Sequence, residues 1–518
     1  MEIRIEKNYL ILPTNKNAKS KRLRFFKDGR EVYYLNVRLS AFDVDFYAYI
    51  DMRRFIGDTL SVEIAPAMNA TFAQSNTMDG EFDDCLRPYI HFTTKRGWLN
   101  DPNGLIQIGD EYHMYYQYNP AERAWGNMHW GHAVSKDLLH WKELPTALFP
   151  DETGTIYSGC AVEDKQNVSG LGKGGVNPVL LYYTSAGDEA SIPVPYTQGL
   201  AYSTDGLKTV KKCENNPVVE HIIAGNRDPK VVWCDERNEY VMALYLTGEE
   251  FVLLSSVNLL SWTPFQKICI PNDSECPSIF PLTANDGKRK WILTGAHDVY
   301  LIGDFVDGKF QASQDAKRLH DESVSYASQA YTDRDDKRII RLAWLRGIFG
   351  KTFSQQMGLP CDLFLQNKNG EYYLSVRPIP ELSTLIASKE SLERVKLNTQ
   401  KRIETGNCAL SLELKGEWKA TGAVTIVSFG VEVKLDFAKN EIVVGKTVNP
   451  LSVSREKLDV RLMIDRASME VFCDGGKIAF AISEQAICDG NLPYLELSSD
   501  CEYMLDSLVL ERYNRIFG

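Results

Sequence analysis

The 518-residue chain lacks a basic excess: 58 Lys and Arg stand against 69 Asp and Glu, a formal net charge of −11 at pH 7. Nucleic-acid binding rests on cationic patches that neutralise phosphates, so this balance excludes nucleic acid as the expected partner. A neutral substrate needs no counter-charge. No stretch approaches 18 consecutive apolar residues, which excludes a membrane-spanning helix and leaves no membrane partner to expect. The first residues, Met1-Glu2-Ile3-Arg4-Ile5-Glu6-Lys7, carry no apolar run of the signal-peptide kind. A cytoplasmic location is therefore expected, although a secreted or periplasmic chain relieved of its signal would read the same. The 11 cysteines form no Cys-x-x-Cys pair and no metal-ligand spacing, and they read as reduced thiols. His129, His132 and His140 fall close together, but no carboxylate sits at ligand spacing, so they read as core or surface hydrogen-bonding groups rather than a metal site. Gly170-Leu171-Gly172-Lys173-Gly174-Gly175 lacks the spacing of a phosphate loop and reads as a surface loop.

Long helical patterns are missing as well. Short β runs fill the chain instead, and 518 residues exceed one compact core, so two to four β domains are expected. Residues 1–64 read as a small β-sandwich-like domain. Leu35, Val37 and Leu39 alternate with polar neighbours, the period-two signal of a half-buried strand, and Asp28-Gly29 supplies a hairpin turn. Residues 65–85 read as a linker, because Ala65-Pro66-Ala67-Met68-Asn69-Ala70 breaks the pattern. Residues 86–385 hold a weak repeat. Ser135-Lys136-Asp137-Leu138-Leu139-His140-Trp141 matches Ser256-Val257-Asn258-Leu259-Leu260-Ser261-Trp262, with Ser203-Thr204-Asp205-Gly206-Leu207 as a looser copy. Serines 68 and then 53 residues apart fit propeller blades, about five over this length. Residues 386–518 alternate again, as in Val431–Phe437, and read as a second β-sandwich.

Three acidic motifs fall in separate blades of that propeller. The first, Trp98-Leu99-Asn100-Asp101-Pro102-Asn103-Gly104, is expected to place Asp101 where a strand ends and a turn begins; alone, such an Asp reads as a local cap. The second is Asn226-Arg227-Asp228-Pro229 and the third Ser274-Glu275-Cys276-Pro277. Innermost blade strands line one channel, so acids distant in sequence can converge there. Carboxylates brought together raise one another's pKa, which supplies the protonated acid that glycoside cleavage needs. Two carboxyl groups about 5–5.5 Å apart give retention through a covalent glycosyl intermediate. Arg227 beside Asp228 is expected to keep Asp228 ionised, a hydrogen-bond anchor rather than an acid. Cys276-Pro277 gives Glu275 a less polar setting, which favours proton donation. Asp101 remains for the nucleophile. Taken singly, Arg227-Asp228 also reads as a structural ion pair and Glu275 as a solvated surface acid.

Together these motifs resemble glycoside hydrolase family 32, the invertase, inulinase and levanase family. His113–Pro120, Trp130–Trp141, Tyr157-Ser158-Gly159 and Asp465–Phe472 extend the likeness over about residues 86–515. The resemblance implies an all-β chain: a five-bladed β-propeller catalytic domain followed by a C-terminal β-sandwich. It implies Asp101 as nucleophile, Glu275 as acid/base and Asp228 as transition-state stabiliser. It also carries over Asn100, Gln117, Trp125, Tyr157, Ser158, Arg227, Trp344 and Tyr326 as the fructose-binding subsite, with no metal or cofactor. Leu99 stands where Met is commoner, Cys160 where a small residue is usual, and Gly358–Asp362 departs from the family's proline-arginine pattern. Residues 1–64 lie outside the common core and look similar to the extra N-terminal β domain of some gut-bacterial members.

The implied activity is that of a retaining exo-β-fructofuranosidase acting on terminal fructosyl residues of sucrose, fructo-oligosaccharides or fructans, as a monomer or homodimer. Fructosyl transfer would use the same residues. A sugar-binding propeller without cleavage has no use for a complete acid trio, and a propeller enzyme acting on arabinose polymers lacks the Trp-x-Asn-Asp-Pro-Asn-Gly pattern.

Overall fold

The computed structural model describes residues 1–78, 85–332, 334, 336–397, 401–406, 408–451, 457–484 and 494–517. Its centre is a ring of five antiparallel blades. The innermost strands are Gly97–Ile108, Thr155–Glu163, Arg227–Cys234, Ser278–Thr283 and Ser325–Tyr331, each opening its own blade and packed against its neighbours around a central channel. They carry little polar-apolar alternation, because blades enclose them on both faces; ten consecutive residues of Gly97–Ile108 are buried.

The ring is closed by chain from its far end. Phe353–Met357, an excursion of the fifth blade, pairs in parallel with Gly97–Ile108, matching Phe353 with Gly97 and Ser354 with Trp98. The Trp98–Gly104 motif of the first blade is thereby locked to the last.

The Ser-x-Asp/Asn repeat marks one recurring corner. Ser135, Ser203 and Ser256 each end the third strand of a blade, and each hydroxyl donates to the acid or amide two residues on, at 2.9, 2.8 and 3.1 Å. Leu138, Leu207 and Leu259 take φ of 66°, 64° and 62° there, and all three are buried. An Asx-type turn thus drops a leucine into each inter-blade core.

The C-terminal sandwich stacks two six-stranded sheets, from Ile386–Lys396 to Met504–Tyr513 in chain order, over a core that includes Leu412, Ile426, Val433, Leu462 and Leu497. It is fastened to the propeller through His91. The ring is fully buried, with Nδ1 2.8 Å from Asp465 and Nε2 2.7 Å from Glu470. Burial alone would push this imidazole down; the two carboxylates prevail and raise it to about 9.

The N-terminal domain pairs a four-stranded sheet with a three-stranded one over Leu10, Leu12, Phe25, Leu35 and Ile50. Asp28 and Gly29, at φ 51° and 78°, form the two-residue turn between Lys21–Lys27 and Arg30–Val37. The stretch read as a linker over 65–85 contains strand: Ala73–Ser75 pairs with Tyr9–Ile11 and extends this domain. Three residues are too short to show a hydrophobic period, and the pairing is set by the edge they meet. Among the described residues, no helix is long and apolar enough to cross a membrane.

Candidate active site

Asp101 does not sit at a strand end. Trp98–Gly104 lies wholly inside the twelve-residue strand Gly97–Ile108. Two bulges, between Leu99 and Pro102 and between Asn103 and Ile106, absorb the turn-forming residues without ending the ladder. Gly104 takes φ 51°, and a Cβ there would lie 2.6 Å from the Tyr115 ring, so the tight bulge needs glycine. Asn103 holds the kink: its side-chain Nδ2 donates to the Asp101 backbone carbonyl at 3.1 Å, and its Oδ1 accepts from Gly159 N at 3.0 Å.

The Asp101 carboxylate closes a ring of hydrogen bonds. Ser158 Oγ donates to it at 2.6 Å, Gln117 Nε2 donates to Ser158 at 2.6 Å, and Asn100 Nδ2 reaches both Gln117 at 3.2 Å and Asp101 at 3.3 Å. Trp98 Nε1 orients Asn100 from behind at 3.0 Å. Burial raises the Asp101 carboxyl, the bonds from Ser158 and Asn100 oppose that rise, and the charge of Glu275 adds to it. Donors, rather than an open setting, favour the ionised form.

Asp228 and Glu275 arrive on unusual backbone. Asp228, Glu275 and Cys276 have φ of 66°, 57° and 39°, a left-handed conformation that side chains rarely adopt. The ladder also bulges between Arg227 and Lys230. Asp228 accepts from Cys276 N at 3.0 Å, and Thr184 Oγ1 accepts from Asp228 N at 2.9 Å. The Cys276 thiol lies 3.5 Å from Asp101 Oδ2 and 3.4 Å from Asp228 Oδ2, so one sulfur touches both acids.

The charges pair otherwise than chain order implies. Arg227 lies 2.5 Å from Glu275 and 3.9 Å from Asp228. Asp228 is only 4% exposed, and burial pushes its carboxyl up to about 7; Arg227 opposes this, while Glu275 and Asp101 reinforce it. Asp228 is therefore not held firmly ionised by its neighbour. Nor is Glu275 in an apolar setting: its side chain is 31% exposed, takes the Arg227 ion pair, and accepts from Tyr326 OH at 2.7 Å.

Aromatic rings gather beside these acids in two clusters. Trp125, 49% exposed, packs edge-on against Tyr157 at 6.0 Å, and Tyr157 meets Tyr196 at 5.8 Å. In a second cluster, Trp344 bridges Trp98 at 5.9 Å and Tyr326 at 6.0 Å. Nine of the eleven residues singled out from sequence are thus linked by direct contacts by way of Cys276, and Tyr157, next to Ser158 in the chain, brings in Trp125. Tyr196, Thr184 and Arg346, whose guanidinium lies 4.6 Å over the Tyr326 ring, were missed because none belongs to a motif. They come from neighbouring strands and loops.

The matching family model, the N-terminal domain of glycosyl hydrolases family 32, spans residues 91–375, which include all three acids. The chain belongs to glycoside hydrolase family 32. Among its relatives in this family, a levanase of Bacillus subtilis is 29% identical over 84% of this chain and 72% of that protein. A fructan beta-fructosidase of Streptococcus mutans is 29% identical over 77% of this chain but only 31% of its own length. The fold is that of an exo-inulinase from Aspergillus awamori, whose crystal structure superposes with a TM-score of 0.76 at 23% identity, covering 84% of this chain and 100% of that one. The family-32 match includes none of residues 1–90.

The family's departures have local reasons in this chain. Cys361 is buried in the propeller core, and Asp362 pairs with Arg338 at 2.9 Å. Cys160 is also buried, accepting from Val231 N at 3.2 Å. The three clustered histidines do separate work: His129 meets Tyr33 OH at 2.7 Å, His132 meets His113 at 3.0 Å, and His140 meets Asp137 at 2.7 Å.

Proposed function

We propose that the chain is a retaining exo-β-fructofuranosidase that releases terminal non-reducing fructosyl units from sucrose, fructo-oligosaccharides or fructans. The observation that carries this reading is the convergence of Asp101, Asp228 and Glu275, from three blades, around one thiol and one guanidinium. Asp101 attacks the anomeric carbon and forms the fructosyl-enzyme bond as the glycosidic C–O bond breaks. Glu275, the acid closest to solvent, gives its proton to the leaving oxygen and then takes one from the water that releases fructose. For that first step Glu275 must reach the glycosidic oxygen as an acid, so substrate entry has to relax its ion pair with Arg227. Asp228, buried and able to hold or share a proton near neutrality, is suited to hydrogen bonds with fructose hydroxyls that tighten at the transition state.

The names of the relatives, levanase, fructan beta-fructosidase, invertase and exo-inulinase, support this substrate class. The ten described cysteines are all unpaired, which supports a reducing, cytoplasmic setting and short imported substrates. Asp101→Asn and Glu275→Gln should each lower turnover of sucrose and inulin by at least about 10³-fold without loss of the fold. Trapping the intermediate with methanol should yield the β-configured methyl fructoside. Near wild-type rates in both variants, or an inverted product, would end the proposal.

A further inference from the structure

A cavity of about 330 Å³ opens between the N-terminal domain and the propeller, within the size range of small-molecule sites. Asn15, Lys16, Asp45 and Phe46 line it from one domain, and Arg123 and Phe349 from the other. Its charges are of both signs and partly matched: Arg123 lies 4.0 Å from Asp45, and Arg38 pairs with Glu122. Such a lining does not select an ion of either sign. Phe349, 51% exposed, adds an apolar face. Polar groups around one aromatic face suit a neutral polyhydroxylated ring, whose C–H face stacks while its hydroxyls bond outward.

The cavity joins the catalytic mouth by one wall. The Phe349 ring packs on Trp98 at 6.5 Å, and Trp98 orients Asn100, which donates to Asp101. A single loop, residues 120–128, carries both sites and the domain contact. Glu122 accepts from Arg38 N at 2.8 Å, and Asn127 exchanges two 2.7 Å bonds with the Asn36 backbone; between them stand Arg123, at the cavity, and Trp125, at the mouth. The docked N-terminal domain therefore fixes the loop that borders the substrate.

We infer that the N-terminal domain completes a distal sugar subsite, which takes internal units of a fructo-oligosaccharide whose terminal unit sits at Asp101. This rests on the β-fructosidase reading. It makes the domain a determinant of chain-length preference, with sucrose too short to use it.

The test is steady-state hydrolysis by the full chain and its Lys16→Ala and Asn15→Ala variants, with sucrose and a five-unit fructo-oligosaccharide compared. For the longer substrate, KM should rise about five-fold in each variant, with kcat within about two-fold. Sucrose kcat/KM should stay within about two-fold of wild type. Equal effects on both substrates, or none on either, would overturn the subsite while leaving the β-fructosidase reading intact. Wild-type protein that cleaves neither substrate would overturn both.

Discussion

Arg227 makes its close ion pair with Glu275, 48 residues away, and not with its chain neighbour Asp228. Adjacent side chains on a strand point apart, and the bulge after Arg227 with φ 66° at Asp228 turns the carboxylate into the channel while the guanidinium crosses to the next blade. The cation therefore organises the exposed acid and leaves the deeper one to burial. Arg227→Lys keeps the charge but loses the planar fork that also bonds the Gly225 carbonyl at 2.6 Å. It should lower kcat/KM on sucrose by about 10²-fold with an unchanged thermal transition, read by kinetics and calorimetry. A loss under about three-fold would show that charge alone suffices.

Ser158 is the strongest donor to Asp101, and its bond favours the ionised carboxylate. Ser158→Ala removes that bond, so the Asp101 carboxyl rises further and ionises only at higher pH. The acidic limb of the kcat/KM profile should move up by about one pH unit, and the plateau should fall. A limb that stays in place would separate this hydroxyl from the ionisation of Asp101.

Asp228 is held in the fold at a cost in stability. Its folded pKa, about 7, lies above the unfolded value of 3.8, so keeping it in the fold costs free energy that grows as pH rises from about 4 to 7. Asp228→Asn removes the cost. The variant should gain stability over wild type at pH 8, by up to about 4 kcal/mol, but show no such gain at pH 4. Activity should fall by orders of magnitude. Denaturant melts at the two pH values, beside turnover, check both halves.

His91 works with the opposite sign. Its folded pKa, about 9, exceeds the unfolded 6.5, so its contribution is complete below about pH 6.5 and disappears as pH rises through 9. His91→Gln leaves Asp465 and Glu470 buried without their cation and should destabilise the junction by about 3–5 kcal/mol at pH 6. The gap between variant and wild type should narrow by pH 9.5, measured as unfolding free energy across the series. A gap independent of pH would make His91 a packing residue only.

The sequence alone determined the all-β character, the propeller repeat and the acid trio, because these rest on local period and on motifs whose members are chain neighbours. Asp101, Asp228 and Glu275 each stand out within seven residues or fewer. Only the tertiary structure decided which groups meet. It ran Asp101 through a bulged strand instead of a turn, paired Arg227 with Glu275, buried Asp228, and drew Ala73–Ser75 into the N-terminal domain. It also brought in Thr184, Tyr196 and Arg346, and set Asn15 and Lys16 opposite Phe349. The reason is physical: burial, left-handed backbone and contacts between blades arise from the closed ring and the docked domain, and no short stretch of chain encodes them.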